Sequence, residues 1–352
     1  AIVIFGDSNN VTITGNVTSN ASTGPSGSFG TGLYVDGTSN TIVLNGNMTM
    51  TGNGPGDAIH LTGDIPDPSD SNTINITGNI STVGDTAHGI GLDTSNSNTI
   101  TMTGNISTVG DTAHGIGLDT SDSNTITMTG NVSTLGVDAS GIELDTSDSN
   151  TITMTGNIST TEEDGYGLYL NESDSNITSV TGNIITSGTG AVAINNQDSS
   201  NNTINHTGNI TTTGEGAPYA VWTNGGSGNN LNITGDITTS GFMGYGYNFQ
   251  NTTGNTLNMS GDISTAGSSA IGLDFILGAS NNTAVITGNI STTDINSHAV
   301  RNTASNLNTI TITGNLSTSG TGSQAYAIFE ANENKTTING NLSTTGSVVA
   351  HG

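Results

Sequence analysis

Apolar residues in this chain alternate with Thr, Ser and Asn in short bursts, and the bursts return at a fixed interval. The clearest copies are GNISTVGDTAHGIGLDTSNSNTITMT (78–103) and GNISTVGDTAHGIGLDTSDSNTITMT (104–129), which differ only at Asn96 versus Asp122. In TITMT, Ile100 and Met102 are the apolar members, the period-two pattern of a half-buried strand. The same pair recurs as Ile74 and Ile76, Ile126 and Met128, Leu257 and Met259, Ile310 and Ile312. A lone aliphatic follows two residues after the next Gly, as in Ile80, Ile106, Val132 and Ile158, and predicts a second short strand of the type NIST. AHGIGLD predicts a third, with Ile90 and Leu92 as its inward pair, and a polar turn such as TSDSN leads onward.

A Gly followed by Asn or Asp marks each repeat: Gly15, Gly46, Gly78, Gly104, Gly130, Gly156, Gly182, Gly208, Gly235, Gly261, Gly288, Gly314 and Gly340. The intervals are 31 and 32 at first, then 26 or 27 throughout. A period held this tightly predicts a solenoid, in which each repeat covers the core of its neighbour. Three strands in such a repeat suit a three-sided parallel β-helix. Helical coils are disfavoured by the β-branched content and by the Gly inside every repeat. The expectation is an all-β, single-domain β-solenoid over 1–352 with about 13 coils, irregular over 1–77 and regular over 78–352. Coils about 4.8 Å apart would make a rod roughly 60 Å long.

Composition changes this picture little. Apolar content of 31% with a net charge of −26 would fit disorder, but the regular spacing argues against it. The only cationic side chains are Arg301 and Lys335, which excludes a nucleic-acid surface and makes an anionic membrane a poor partner. Cysteine is absent, so neither disulfides nor thiol chemistry enter. No apolar run approaches 18 residues, so no membrane insertion of this segment is expected. The chain opens at Ala1 without Met or a signal peptide, as expected of a mature or excised piece of a longer precursor.

Stacking turns each offset into a ladder. The Asn after the marker Gly (Asn79, Asn105, Asn131, Asn157, Asn183, Asn209) is expected to bond coil to coil at a turn. Several of these lie in N-x-Ser/Thr sequons, but a ladder Asn is expected to be inaccessible to modification. The outward row of the third strand varies most: Gly91, Gly117, Glu143, Tyr169, Asn195, Trp222, Asn248, Asp274, Arg301, Phe329. Its aromatic members Tyr169, Trp222 and Phe329 are candidates to stack on sugar rings or pack on a partner, against the alternative of ordinary surface variation. Two positions earlier the row is small (Gly89, Gly115, Gly141, Gly167, Ala193, Ala220, Gly246, Gly272, Ala299, Ala327), which predicts a sharp bend in preference to a close backbone approach.

Two acidic stacks are expected, Asp93, Asp119, Asp145 and Asp122, Asp148, Asp174. Like charges about 4.8 Å apart in water repel by roughly 1 kcal/mol per pair, and bound Ca²⁺ would relieve this. The calcium-binding nonapeptide is missing, so a solvated anionic edge is the expectation and a Ca²⁺ site the weak alternative. Outward Thr residues (99, 101, 103 and their copies) form an array like the face of β-helical ice-binding proteins, or simply reflect β-propensity. His88 and His114 read as satisfied side chains near a corner, and His206 as a core residue without partner ligands. No lyase base or opposed carboxylate pair stands out, the two cations being isolated and Glu162, Glu163 and Asp164 sharing one loop. The chain is therefore expected to be no enzyme and to need no cofactor.

The repeated TGNIST…AHGIGLDTSDSNTIT pattern resembles the passenger domains of bacterial autotransporters and related secreted adhesins. The likeness lies in Gly-Asn turns, Ser/Thr/Asn-rich strands, the G-I-x-L strand and scarce Lys and Cys. It implies a right-handed parallel β-helix displayed outside the cell for attachment or scaffolding, though no C-terminal barrel is present. The two ends match in repeat phase, Ala350-His351-Gly352 corresponding to Ala87-His88-Gly89. This suggests end-to-end stacking through Ala1, Ile2, Val3, Ile4, Phe5, Val348, Val349 and Gly352 into a head-to-tail homopolymer. Two functions follow: a surface fibre or filament subunit, or an adhesin binding glycans or a host surface through the aromatic row.

Overall fold

The computed structural model describes residues 2–20, 30–63 and 69–346. They form an all-β parallel β-solenoid of 39 strands, three to a coil, with no helix among the described residues. The chain packs as two compact units, Ala1–Thr181 and Gly182–Gly352.

In the first unit, third strands stack in the order Ile2–Phe5, Leu33–Asp36, Ile59–Thr62, Ile90–Asp93, Ile116–Asp119, Ile142–Asp145, Leu168–Asn171. First strands run from Asn10–Thr14 to Ile177–Thr181, and second strands from Val17–Ser19 to Ile158–Thr160. The strand pairings are parallel and join equivalent residues: Thr99 to Thr125, Ile100 to Ile126, Met102 to Met128. The inward positions read from the sequence are the core, with Ile90, Leu92, Ile100, Met102 and Ile106 all at most 2% exposed.

The marker glycine is required twice over. At Gly104 φ is +146°, and a Cβ would lie 2.0 Å from the Gly78 carbonyl oxygen of the coil before. The Asn that follows does bond coil to coil: the Asn105 N–H donates to Asn79 Oδ1 at 2.8 Å, and Asn131 to Asn105 likewise. These side chains are exposed, contrary to the expectation that they are inaccessible. The turn sits on the outside of the coil, so the amide caps a backbone donor from the solvent side.

A second amide ladder is buried. Asn72, Asn98, Asn124 and Asn150, just before each first strand, are 1% exposed. Here the earlier coil donates: Asn98 N–H to Asn124 Oδ1 at 2.8 Å, while Asn124 Nδ2 reaches back to the Ser95 carbonyl at 2.8 Å. Beside it runs a buried Ser ladder, with Ser95 N–H to Ser121 Oγ at 3.0 Å and Ser121 N–H to Ser147 Oγ at 2.9 Å. These donors and acceptors are buried, so the side chains that pair them are structural necessities.

The small row needs correcting in its reason and one member. The chain does bend at Gly89 and Gly115, but a Cβ on Gly89 would also sit 2.4 Å from Ile106 Cγ2 and 2.6 Å from the Gly115 carbonyl oxygen. Close approach therefore accounts for the size limit. The last member is Ala325, because Ala327 pairs with Arg301 in the outward row.

In the second unit, second strands run from Ile184–Thr186 to Leu342–Thr344, third strands from Ile194–Gln197 to Gln324–Phe329, and first strands from Thr203–Thr207 to Lys335–Asn339. Third strands lengthen to six residues from Tyr219–Asn224 onward, and aromatics enter the ordinary inward places, Tyr247 in register with Val221 and Phe249 with Thr223. Tyr247, Phe249 and Phe275 are fully buried, with Phe249 and Phe275 stacked at 4.6 Å and 10°. The buried Asn ladder continues within this unit from Asn202 through Asn229, Asn255, Asn282 and Asn308. His206 is 1% exposed and neither ring nitrogen finds a partner of ordinary hydrogen-bond geometry. Burial lowers its pKa to about 4, only partly offset by the backbone at Gly208 and Asn209.

Two stability outcomes follow. Asn124→Ala strands the buried Asn98 backbone N–H, Asn98 Nδ2 keeping Ser69 and Ser95, and should cost about 2–3 kcal/mol in chemical denaturation, whereas Asn105→Ala at the exposed ladder should cost no more than about 1 kcal/mol. His206 protonates near pH 4 when folded but near 6.5 when unfolded, so its contribution is intact above pH 6.5 and is lost as pH falls toward 4. The stability gap between His206→Met and wild type should widen by about 2–3 kcal/mol between pH 7.5 and pH 4.5; an unchanged gap refutes the assignment.

Candidate functional site

On the outer face of the first unit's third-strand sheet, register sets Tyr34 beside His60, His60 beside Gly91, Gly91 beside Gly117, and Gly117 beside Glu143. The two glycines leave a gap in a row otherwise filled by side chains. A cleft of about 540 Å³ opens over them, lined among others by Tyr34, His60, His88, His114 and Glu143. Three coil steps of about 4.8 Å put its two walls roughly 14 Å apart at the backbone.

One wall is aromatic and imidazole. The Tyr34 and His60 rings stack at 5.7 Å and 22°. His60 Nδ1 lies 2.6 Å from Asp57 Oδ2, and Asp57 Oδ1 accepts the His88 N–H at 2.6 Å. Burial works against the charged imidazole, but the hydrogen bond and charge of Asp57, with the charge of Asp93, outweigh it and hold the His60 pKa above its usual value. A side chain at Gly91 would displace the Asp57 carboxylate, because a Cβ would lie 2.3 Å from Asp57 Oδ2. At Gly117 a Cβ would meet only ordinary contacts, the nearest at 3.5 Å.

The roof behind the floor is an acceptor ladder. His88 Nδ1 accepts the His114 N–H at 3.0 Å, His114 Nδ1 accepts the Ser140 N–H at 2.9 Å, and the two rings stack at 4.8 Å and 9°. Both histidines are thus satisfied at a corner, as the sequence suggests. Burial, together with the neighbouring His88, pushes the His114 pKa well below normal.

The far wall is Glu143. Its Oε2 accepts the Ser140 hydroxyl at 2.8 Å and lies 3.2 Å from His114 Nδ1. Burial raises its pKa to about 7 against the Ser140 hydrogen bond, and Asp145, Asp119 and Asp138 add to the rise. Because His114 Nδ1 accepts a backbone N–H and the ring is neutral, the Glu143–His114 contact is no ion pair.

Asp93, Asp119 and Asp145 stack in register along one edge of this cleft. The other acidic stack is a turn ladder: Asp148 N–H donates to Asp122 Oδ1 at 2.7 Å and Asp174 N–H to Asp148 Oδ1 at 2.6 Å. Asn96 fills the same role for Asp122, which is why Asn and Asp interchange there. Among the described residues, no group of three or more His, Cys, Asp or Glu is disposed to hold a metal ion. The outward Thr residues of 99–103, 125–129 and 151–155 stand in register on a separate sheet.

The predicted aromatic row does not assemble as one surface. Tyr169 pairs with Glu143 and its ring lies 4.7 Å from Tyr166. In the second unit, Trp222 is half-buried and stacked on Tyr219 at 5.0 Å and 19°, and Tyr219 meets Tyr245 at 4.9 Å. Phe329 is not in the row: Ala327 pairs with Arg301, and Phe329 lies two places on, opposite Thr303. Nor is Arg301 isolated. It clasps the fully buried Asp274 through Nε at 2.9 Å and a terminal nitrogen at 2.7 Å, and its guanidinium lies 5.9 Å from the Tyr245 ring centre. Burial pushes the Asp274 carboxyl up against the pull of Arg301 and Asn248. Of the residues expected to make end contacts, Ala1, Val348, Val349 and Gly352 lie outside the described residues. Ile2–Phe5 form a third strand in which Ile4 is buried and Val3 and Phe5 are exposed.

Sequence reading missed Tyr34, Asp57 and His60, because the first intervals of 31 and 32 residues hide their phase. The cue that was available is the pair of adjacent outward glycines, a gap in an otherwise occupied row. In comparisons with known protein families, curated proteins and solved structures, none matches this chain.

The Asp57–His60 pair is testable by itself. Asp57→Asn removes the charge that offsets burial, so the His60 titration midpoint in NMR should drop from above 6.5 to below it.

Proposed function

We propose that this protein is a non-enzymatic extracellular attachment rod, of the kind its autotransporter-like repeats suggest, and that it binds neutral glycans in the cleft over Gly91 and Gly117. The observation that carries this reading is the cleft itself: an aromatic wall facing a carboxyl wall across a side-chain-free floor. Aromatic rings pack on the apolar faces of sugars, and carboxyl groups exchange hydrogen bonds with hydroxyls. The edge acids Asp93, Asp119 and Asp145 repeat at the coil spacing of about 4.8 Å, close to the length of one sugar residue in an extended chain. The same acids repel anionic glycans, in a chain of net charge −26. No bound cofactor enters this reading. The self-stacking fibre draws on the chain ends, and the glycan reading is preferred because its contact surface can be named residue by residue.

The test is a glycan array with three variants. Tyr34→Ala and Gly117→Tyr should each weaken retention of neutral glycans at least about tenfold, the loss of one good ring contact or more. Trp222→Ala should not. Gly117→Tyr is expected to fold, since bulky residues occupy the same row at Tyr169 and Trp222. Retention that survives Gly117→Tyr but vanishes in Trp222→Ala moves the binding surface to the second unit, and no retention by wild type favours the fibre.

A further inference from the structure

The contact between Glu143 and His114 is chemically incomplete as two lone-pair bearers. A neutral imidazole has one acceptor nitrogen, and in His114 that nitrogen is Nδ1, already receiving the Ser140 N–H at 2.9 Å. The ring proton therefore resides on Nε2. Glu143 Oε2 stands 3.2 Å from the same Nδ1. An ionised carboxylate there would set two acceptors face to face inside a wall where the two side chains are only 20% and 13% exposed. One added proton resolves the contact: a neutral carboxyl group donates its O–H to Nδ1, which it shares with the Ser140 N–H, while Oε2 still accepts the Ser140 hydroxyl at 2.8 Å.

We propose that a single proton held between Glu143 and His114 latches the Glu143 side chain against the cleft wall, and that its loss frees the carboxylate into the cleft and releases the saccharide. This rests on the reading of the cleft as a glycan site. The surroundings favour keeping the proton. From the preceding coils Glu143 faces His114, Asp119 and, behind them, His88; from its own coil Asp138 and Asp145; from the next coil Tyr166 and Tyr169, with Asp164 beside Tyr166. The negative members of this set oppose a further negative charge, and no Lys or Arg lies among them. Burial and these acids together put the Glu143 titration near neutrality, and the Tyr166 hydroxyl, pushed up to about 12, stays protonated throughout.

The sign follows directly. Below pH 7 the carboxyl is protonated and the latch is closed; above it, the latch opens. If only the latched form binds, affinity falls about tenfold from pH 6 to pH 8. His60 on the opposite wall is a second titrating group, its pKa held above the usual value by Asp57, and Glu143→Gln leaves that group in place. The Gln amide donates to His114 Nδ1 at every pH, so the variant should lack the slope due to Glu143.

The measurement is calorimetric titration of wild type and Glu143→Gln with neutral β-1,4-linked hexasaccharides of glucose, mannose, xylose and N-acetylglucosamine at pH 6, 7 and 8. It is paired with a ¹³C NMR titration of the Glu143 carboxyl in ligand-free wild type. A fall for wild type that is about tenfold steeper than that of Glu143→Gln and a carboxyl midpoint near 7 support the latch. A flat wild-type profile, an equal slope in Glu143→Gln, or a midpoint in the ordinary carboxylate range overturns it. Failure of every hexasaccharide to bind at pH 6 overturns the glycan reading along with the latch, whereas binding without pH dependence overturns the latch alone.

Discussion

Everything in this fold depends on equivalent residues of neighbouring coils lying one strand spacing apart. That constraint makes each position a row of near-identical chemical environments. A glycine needed once to clear the carbonyl below is needed in every coil, as Gly104 over Gly78 and Gly130 over Gly104. A buried amide introduced once demands another above it. The monotony of the sequence is the outcome, and its exceptions mark places where the row is free to change.

Much of this was legible from residue spacing. The three strands per coil, their inward members and the marker turn follow from periods of two and 26 together. Hydrophobic alternation alone fails at Ile177–Thr181, where Ile177 is 47% exposed and Thr178 is buried. Register with Ile152 and Met154 places Thr178 and Val180 inward, so stacking overrides side-chain preference. The two Asn ladders show the same limit. Both are Asn-rich at fixed offsets, and only the direction in which the turn faces decides that Asn105 lies in water and Asn124 in the core.

The cleft was less legible, since it depends on absence and on two early coils of unusual length. Gly91 and Gly117 look like strand-weakening residues until their row neighbours His60 and Glu143 are seen to rise on either side. The acids were visible as stacks, but one stack became a set of backbone acceptors and the other an edge of the cleft. Chemically identical ladders thus divide by location into structure and surface. The aromatic residues divided too: Tyr247, Phe249 and Phe275 fill the core of the second unit, and Trp222 leans on Tyr219.

The two glycines that floor the cleft belong to the two almost identical copies, 78–103 and 104–129. Each copy carries its own bridging donors and acceptors, so one more or one fewer could be accommodated without new chemistry at the junction. The distance between the aromatic wall and the carboxyl wall is therefore counted in whole copies, each worth about 4.8 Å. A change in copy number at this point of the gene would alter the length of the cleft, while leaving every side chain of its two walls as it was.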